Sequence, residues 1–69
     1  MNKDIFKGNW KQLRGAIEKQ WGKLTDDDLD IIDGELDKLV GQIQERYGWN
    51  REEAERKVTD FFDRQTSDA

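Results

Sequence analysis

The chain has 69 residues, 16 acidic and 12 basic, and a net charge of −4. This length allows one small domain. There is no Cys and no His, which excludes disulfides, thiol chemistry and metal sites built on either residue. No apolar run approaches the ~20 residues of a membrane span, and the N-terminus has no apolar signal-peptide segment. We therefore expect a cytoplasmic protein that acts away from the membrane.

The first predicted helix runs from about Asp4 to Trp21. Its apolar residues recur at steps of three and four, which places them on one helix face. They are Phe6, Trp10, Leu13, Ile17, Trp21 and Leu24. Gly22 follows this stripe and is typical of a residue that ends a helix in the left-handed conformation.

The second predicted helix begins after Thr25, because Thr25 and Asp28 are spaced as in a capping box. Its apolar stripe keeps the same register on both sides of Gly34. The pattern therefore permits one kinked helix over residues 26–46 or two helices with a corner at Gly34. The stripe comprises Leu29, Ile32, Leu36, Leu39, Val40, Ile43 and Tyr47.

The last predicted helix starts at Asn50, an N-cap residue to which Glu53 would reach back. It places Ala54, Val58, Phe61 and Phe62 on one face. Gln65 to Ala69 are polar and terminal, and we expect them to form a mobile tail.

An internal repeat relates residues 8–22 to residues 34–48 at an offset of 26, with five of 15 positions identical. Gly34 occupies the position of Gly8, near the start of a copy, which favours a corner at Gly34. The repeat predicts an all-α fold of two similar helical hairpins. We expect four helices in a single domain over residues 1–64.

The six glycines form two sets spaced by seven residues, which keeps each set on one helix face opposite the apolar stripe. Gly15 and Gly41 fall inside helices, where each costs ~1 kcal/mol relative to Ala. The favoured interpretation is that they let helices approach closely within the bundle. The alternative is a flat strip on which a partner docks. The candidate interaction face comprises Gly8, Lys11, Gly15, Lys19, Gly41 and Trp49.

Two other charged features suggest chemistry. Asp26, Asp28 and Asp30 fit positions 1, 3 and 5 of a calcium loop, but Ile31 stands where that loop needs glycine. A solvated helix start is the better interpretation, so we expect no metal, no cofactor and no catalytic residue. Residues 1–23 hold six basic and two acidic residues, against six and 14 in residues 24–69. The basic residues of this first segment could contact phosphate; they include Lys3, Lys7, Lys11, Arg14 and Lys19.

An isoelectric point of about 4.7 makes nucleic acid an unlikely partner. The favoured interpretation is that the basic first helix complements the acidic remainder inside the fold.

These residues resemble the CsbD-like family of small bacterial stress proteins, and most closely its YjbJ-like branch. The resemblance rests on Gly8-Asn9-Trp10-Lys11-Gln12, on Trp21-Gly22-Lys23-Leu24-Thr25-Asp26-Asp27-Asp28, and on Ile43-Gln44-Glu45-Arg46-Tyr47-Gly48. It implies a cytosolic stress protein with a SAM-domain-like helical bundle, and it transfers no catalytic residue.

Three hypotheses of function remain. The first is a non-enzymatic module that binds an unknown protein, most simply as a monomer. The second is a hydrophilin-like protectant that acts by abundance, which the mean hydropathy of −1.12 suits. The third is weak nucleic-acid binding through the basic first helix.

Overall fold

The computed structural model describes residues 3–66. Their backbone forms five α-helices and no strand, which confirms the all-α prediction. The helices are α1 (Lys3–Gly8), α2 (Trp10–Gln20), α3 (Asp26–Ile32), α4 (Leu36–Tyr47) and α5 (Arg51–Thr66).

The prediction of a single first helix was wrong, because helical geometry is interrupted at Asn9, between α1 and α2. Asn9 leaves helical geometry, with φ −106° and ψ 14°. Its side-chain Nδ2 donates to the carbonyl of Ile5 at 3.1 Å. The same carbonyl also accepts from the Asn9 backbone N–H at 3.0 Å, and the preceding Gly8 is a poor helix former. The apolar register continues across the break, which is why periodicity missed it.

The predicted start of α3 and the corner at Gly34 are both confirmed. The Thr25 hydroxyl accepts from the backbone N–H of Asp28, and the Asp28 carboxylate accepts from the backbone N–H of Thr25. At the other end, Asp33 and Gly34 adopt φ of 43° and 81°. Gly34 is buried beside α1, and a Cβ built on it would lie 3.4–3.5 Å from atoms of Lys7 and Trp10. This corner therefore depends on glycine for both conformation and space.

The glycine predicted to end α4 behaves as expected, whereas the one after Trp21 does not. Gly48 caps α4 in the left-handed conformation with φ 72°. Gly22 follows a C-cap residue, Trp21, of negative φ, and it is not among the positive-φ glycines.

The predicted capping box at the start of α5 is only half formed. Asn50 Oδ1 accepts from the Glu53 backbone N–H at 2.8 Å, but the Glu53 carboxylate pairs with Arg56. The backbone of residues 65 and 66 belongs to α5, and residues 67–69 of the predicted tail lie outside the described residues.

Helix α4 is the centre of the molecule, since it packs against α1, α3 and α5. The predicted apolar stripes form the core of the molecule, in which Phe6 of α1 packs edge-on against Phe62 of α5. The five helices differ from the four predicted, and the contacts do not establish two equivalent hairpins. The buried apolar residues are Phe6, Ile17, Trp21, Leu24, Leu29, Ile32, Leu39, Val40, Ile43, Ala54, Val58, Phe61 and Phe62.

Candidate interaction face

The candidate residues fall on three parts of the fold. Gly8 is the exposed last residue of α1, and Lys11, Gly15 and Lys19 are exposed on α2. Gly41 is partly buried on α4. Trp49 is partly buried at the joint between α4 and α5. The structure therefore groups the first four around α2 and leaves the last two elsewhere.

The exposed side of α2 follows from helix geometry. Ile17 is fully buried, and Gly15 precedes it by two residues, or about 200° around the helix axis. Gly15 therefore points away from the core. Lys11 and Lys19 lie one turn before and one turn after it, so the three residues form an inclined row on the solvent side. We call Lys11, Gly15 and Lys19 the α2 row.

The favoured interpretation of the mid-helix glycines was wrong. Apart from the neighbouring backbone of its own helix, no atom lies within 4 Å of a Cβ built on Gly15 or on Gly41. No helix or loop of the described residues 3–66 therefore needs glycine at either position. Each retains the ~1 kcal/mol cost of glycine inside a helix without a packing reason.

The charges of the first segment are only partly used inside the fold. Lys3 pairs with Asp37 at 3.2 Å, and Arg14 pairs with Asp30 at 2.9 Å. The Lys23 ammonium lies 5.0 Å from the centre of the Tyr47 ring. By contrast, Lys7, Lys11 and Lys19 form no ion pair with the residues that the structure describes. The predicted internal complementarity therefore covers only part of the basic segment, and the α2 row retains two unpaired cations.

An ion pair that is buried on one side connects α3 to the end of α4, and sequence reasoning missed it. Arg46 donates from Nε to Asp28 Oδ2 at 2.8 Å and from Nη2 to Oδ1 at 2.9 Å. Asp28 is only 2% exposed. The hydrogen bonds from Arg46, followed by that from the Thr25 backbone, lower the pKa of Asp28 to about 2. The Asp28 carboxylate in turn raises the pKa of Arg46. We call this contact the Asp28–Arg46 pair; its function is structural.

Trp49, the aromatic member of the candidate face, is partly buried against other side chains. Trp49 stacks on Tyr47 with ring centres 4.6 Å apart and planes 16° apart. The Lys57 ammonium lies 5.4 Å from the centre of the Trp49 ring. The two rings thus contact each other and two lysines, and they join the end of α4 to α5. This arrangement is typical of a packing contact rather than an open platform for a nucleobase.

Two carboxylates of α3 and one of α4 form ion pairs within the fold. Asp28 pairs with Arg46, Asp30 with Arg14, and Asp37 with Lys3 and Arg51. Between residues 3 and 66 there is no group of three or more acidic side chains placed to hold a metal ion. In the same span, no helix combines the length and apolarity that crossing a membrane requires.

Five α-helices with an exposed basic row on α2 place the described part of the chain among small helical proteins. Residues 4–56 match the family model described as CsbD-like, and the chain belongs to that family.

Among its relatives are the UPF0337 proteins PA4738 of Pseudomonas aeruginosa and YjbJ of Escherichia coli K12, each 59% identical to it. The match to PA4738 covers 93% of this chain and 98% of that protein. The match to YjbJ covers 88% of each. A third relative, ECA0631 of Pectobacterium atrosepticum, is 59% identical over 91% of each chain.

Proposed function

We propose that the protein is a non-catalytic, cytoplasmic stress-response protein that acts by binding another protein through the outward face of α2. Family membership supports the stress-response part of this proposal. The face consists of the α2 row and the adjacent Gly8. Gly41 and Trp49 lie on other elements and contribute less to the proposed contact.

One observation carries the binding proposal. Gly15 is exposed in the middle of α2, where it weakens the helix, and no contact within residues 3–66 requires it. A missing side chain on a solvent-facing helix lets the backbone of another molecule approach the helix closely. Lys11 and Lys19 flank this gap with two charges that the fold leaves unpaired. Together they offer a shallow, positively charged contact surface.

The test is a comparison of two baits, each covalently crosslinked to its neighbours in osmotically stressed bacterial cells before lysis, so that a weak contact is retained. One bait is the wild-type chain and the other is K11E/K19E, whose substitutions lie at exposed positions and leave the core unchanged. We expect a discrete protein on the wild-type bait that K11E/K19E loses at least tenfold. A Lys7→Glu/Lys38→Glu bait makes the same charge change outside the α2 row and should retain the protein.

Three other outcomes would overturn the proposal. Equal retention by wild type and K11E/K19E would separate binding from the α2 row. Retention that disappears with nuclease would assign the lysines to nucleic acid. Retention of nothing by any bait would favour the protectant hypothesis, in which abundance replaces specific contact.

A further inference from the structure

A second row of charged residues lies on the outward side of α5. Glu52, Arg56 and Asp60 are exposed and follow one another at intervals of four residues. Arg56 lies two residues from each of the buried Ala54 and Val58, which turns it about 200° away from the core. We call Glu52, Arg56 and Asp60 the α5 row.

The two carboxylates of the α5 row form no ion pair with the residues that the structure describes. Arg56 lies between them in sequence but pairs with Glu53, on the neighbouring side of α5. The charges of Asp60 and Glu52 act on Arg56 only through space, as minor contributions to its raised pKa. Each carboxylate therefore remains available to a cation from outside.

The α2 row and the α5 row match in spacing and are opposite in sign at both ends. Lys11 and Lys19 are eight residues apart, as are Glu52 and Asp60, so each pair spans about 12 Å along its helix. Both rows are ridges of residues at i, i+4 and i+8. Such ridges interdigitate when two helices cross at about −50°, the commonest packing class. If the two rows were laid together in this way, the open space at Gly15 would lie opposite the long side chain of Arg56.

From this match we infer that the α2 row of one copy of the chain binds the α5 row of a second copy. The inference rests on the proposed function, because it gives the outward face of α2 its partner. The two rows belong to different helices, so the contact is head-to-tail and leaves one row free at each end. Copies therefore add to one another in short chains rather than closing into a symmetric dimer.

The contact is small and depends on exposed ion pairs, so it is weak. We expect a dissociation constant on the order of 1 mM, which matters only for a protein present at high concentration. Two copies of net charge −4 also repel each other at long range. Association should be measurable at about 50 mM salt, which partly screens the repulsion between copies. It should disappear at about 1 M salt, which also screens the ion pairs between the two rows.

The experiment is sedimentation equilibrium of the full chain up to about 1 mM protein. We expect the weight-average mass of wild type to rise about twofold above the 8.2 kDa monomer, as open head-to-tail association predicts when the protein concentration equals the dissociation constant. The variants K11E/K19E and E52K/D60K should each remain monomeric, because each places like charges at the contact. Mixed in equal amounts, they should associate again, since each then supplies the row that the other needs.

Two controls make the result specific. The Lys7→Glu/Lys38→Glu variant should associate as wild type does. In amide NMR spectra of wild type, dilution should shift signals of α2 and α5 and leave those of α3 unchanged. Circular dichroism on each variant checks that the helices are intact, and all substituted positions are exposed.

A wild-type chain that stays at the monomer mass at 1 mM overturns the inference, as does a mixture of the two variants that fails to associate. Neither result alone overturns the proposed function. If the wild-type bait retains a different protein and the K11E/K19E bait does not, the α2 row binds that protein instead of a second copy.

Discussion

Substituting Asp28 by Asn removes the negative charge of the Asp28–Arg46 pair while keeping the size of the side chain. The single side-chain oxygen of Asn can accept fewer hydrogen bonds than a carboxylate. The Asn amide nitrogen also presents N–H donors to the Arg46 guanidinium, which is itself a donor. The pair is buried on the Asp28 side, where water does not replace the lost contacts. We expect D28N to lower the free energy of unfolding at pH 7 by about 2 kcal/mol.

The charge-dependent part of that loss follows from the pKa of Asp28. The carboxyl has a pKa of about 2 in the fold, against 3.8 without these contacts. This difference corresponds to about 2 kcal/mol, which we reduce to about 1–2 kcal/mol because Arg46 is 41% exposed and water screens the pair. The folded pKa is depressed, so this stabilisation is fully present above about pH 5 and is lost as pH falls toward 2.

The assay is urea or thermal unfolding of wild type and D28N, followed by circular dichroism between pH 7 and pH 2. At pH 7 the melting temperature of D28N should be about 10 °C lower for a domain of this size. The gap should narrow below pH 4 as wild type loses its ion pair. D27N, at an exposed position in the same helix turn, should change stability by less than about 1 kcal/mol. A D28N variant as stable as wild type at pH 7, or a gap that does not depend on pH, would refute the reasoning.

Three further predictions concern stability. G15A should raise the free energy of unfolding by about 0.5–1 kcal/mol, because Gly15 lies inside a helix and has open space around it. G34A should lower the free energy of unfolding by at least about 1 kcal/mol, because φ is 81° at Gly34. Urea unfolding of both variants checks these opposite signs, and a destabilised G15A would contradict the prediction. I43A should cost about 2–5 kcal/mol in the same assay, because Ile43 is fully buried at the centre of the core. R14A should cost less than about 1 kcal/mol, since the Asp30 end of its 2.9 Å ion pair is 68% exposed and is screened by water; a larger loss would show that Arg14 is coupled to the core.

The apolar periodicity predicted helices and core well because burial repeats with the helix period. Every buried apolar residue belongs to one of the predicted stripes. The corner at Gly34 also followed from the sequence, through the repeat rather than the periodicity. The break at Asn9 did not follow, because one residue leaves helical geometry there while the stripe keeps its register.

Contacts between distant residues were beyond the sequence patterns. Thr25 and Asp28 are three residues apart and form a recognised motif, whereas Arg46 lies 18 residues from Asp28 and has no spacing signature. The roles of Gly15 and Gly41 were misjudged for the same reason. Whether a glycine lies against another helix depends on how the helices pack, and both glycines face open space in the fold.

The most direct test of the central claim is photocrosslinking from position 12 in osmotically stressed bacterial cells. A photoreactive amino acid replaces Gln12, an exposed residue beside the α2 row that leaves Gly15 unchanged, and a matched variant carries it at Lys38, an exposed position on α4. We predict a discrete adduct from position 12 that is absent from position 38, with the mass of the adduct identifying a second copy or another protein. Equal labelling from both positions, or none from either, would contradict the assignment of the outward face of α2 as a binding surface.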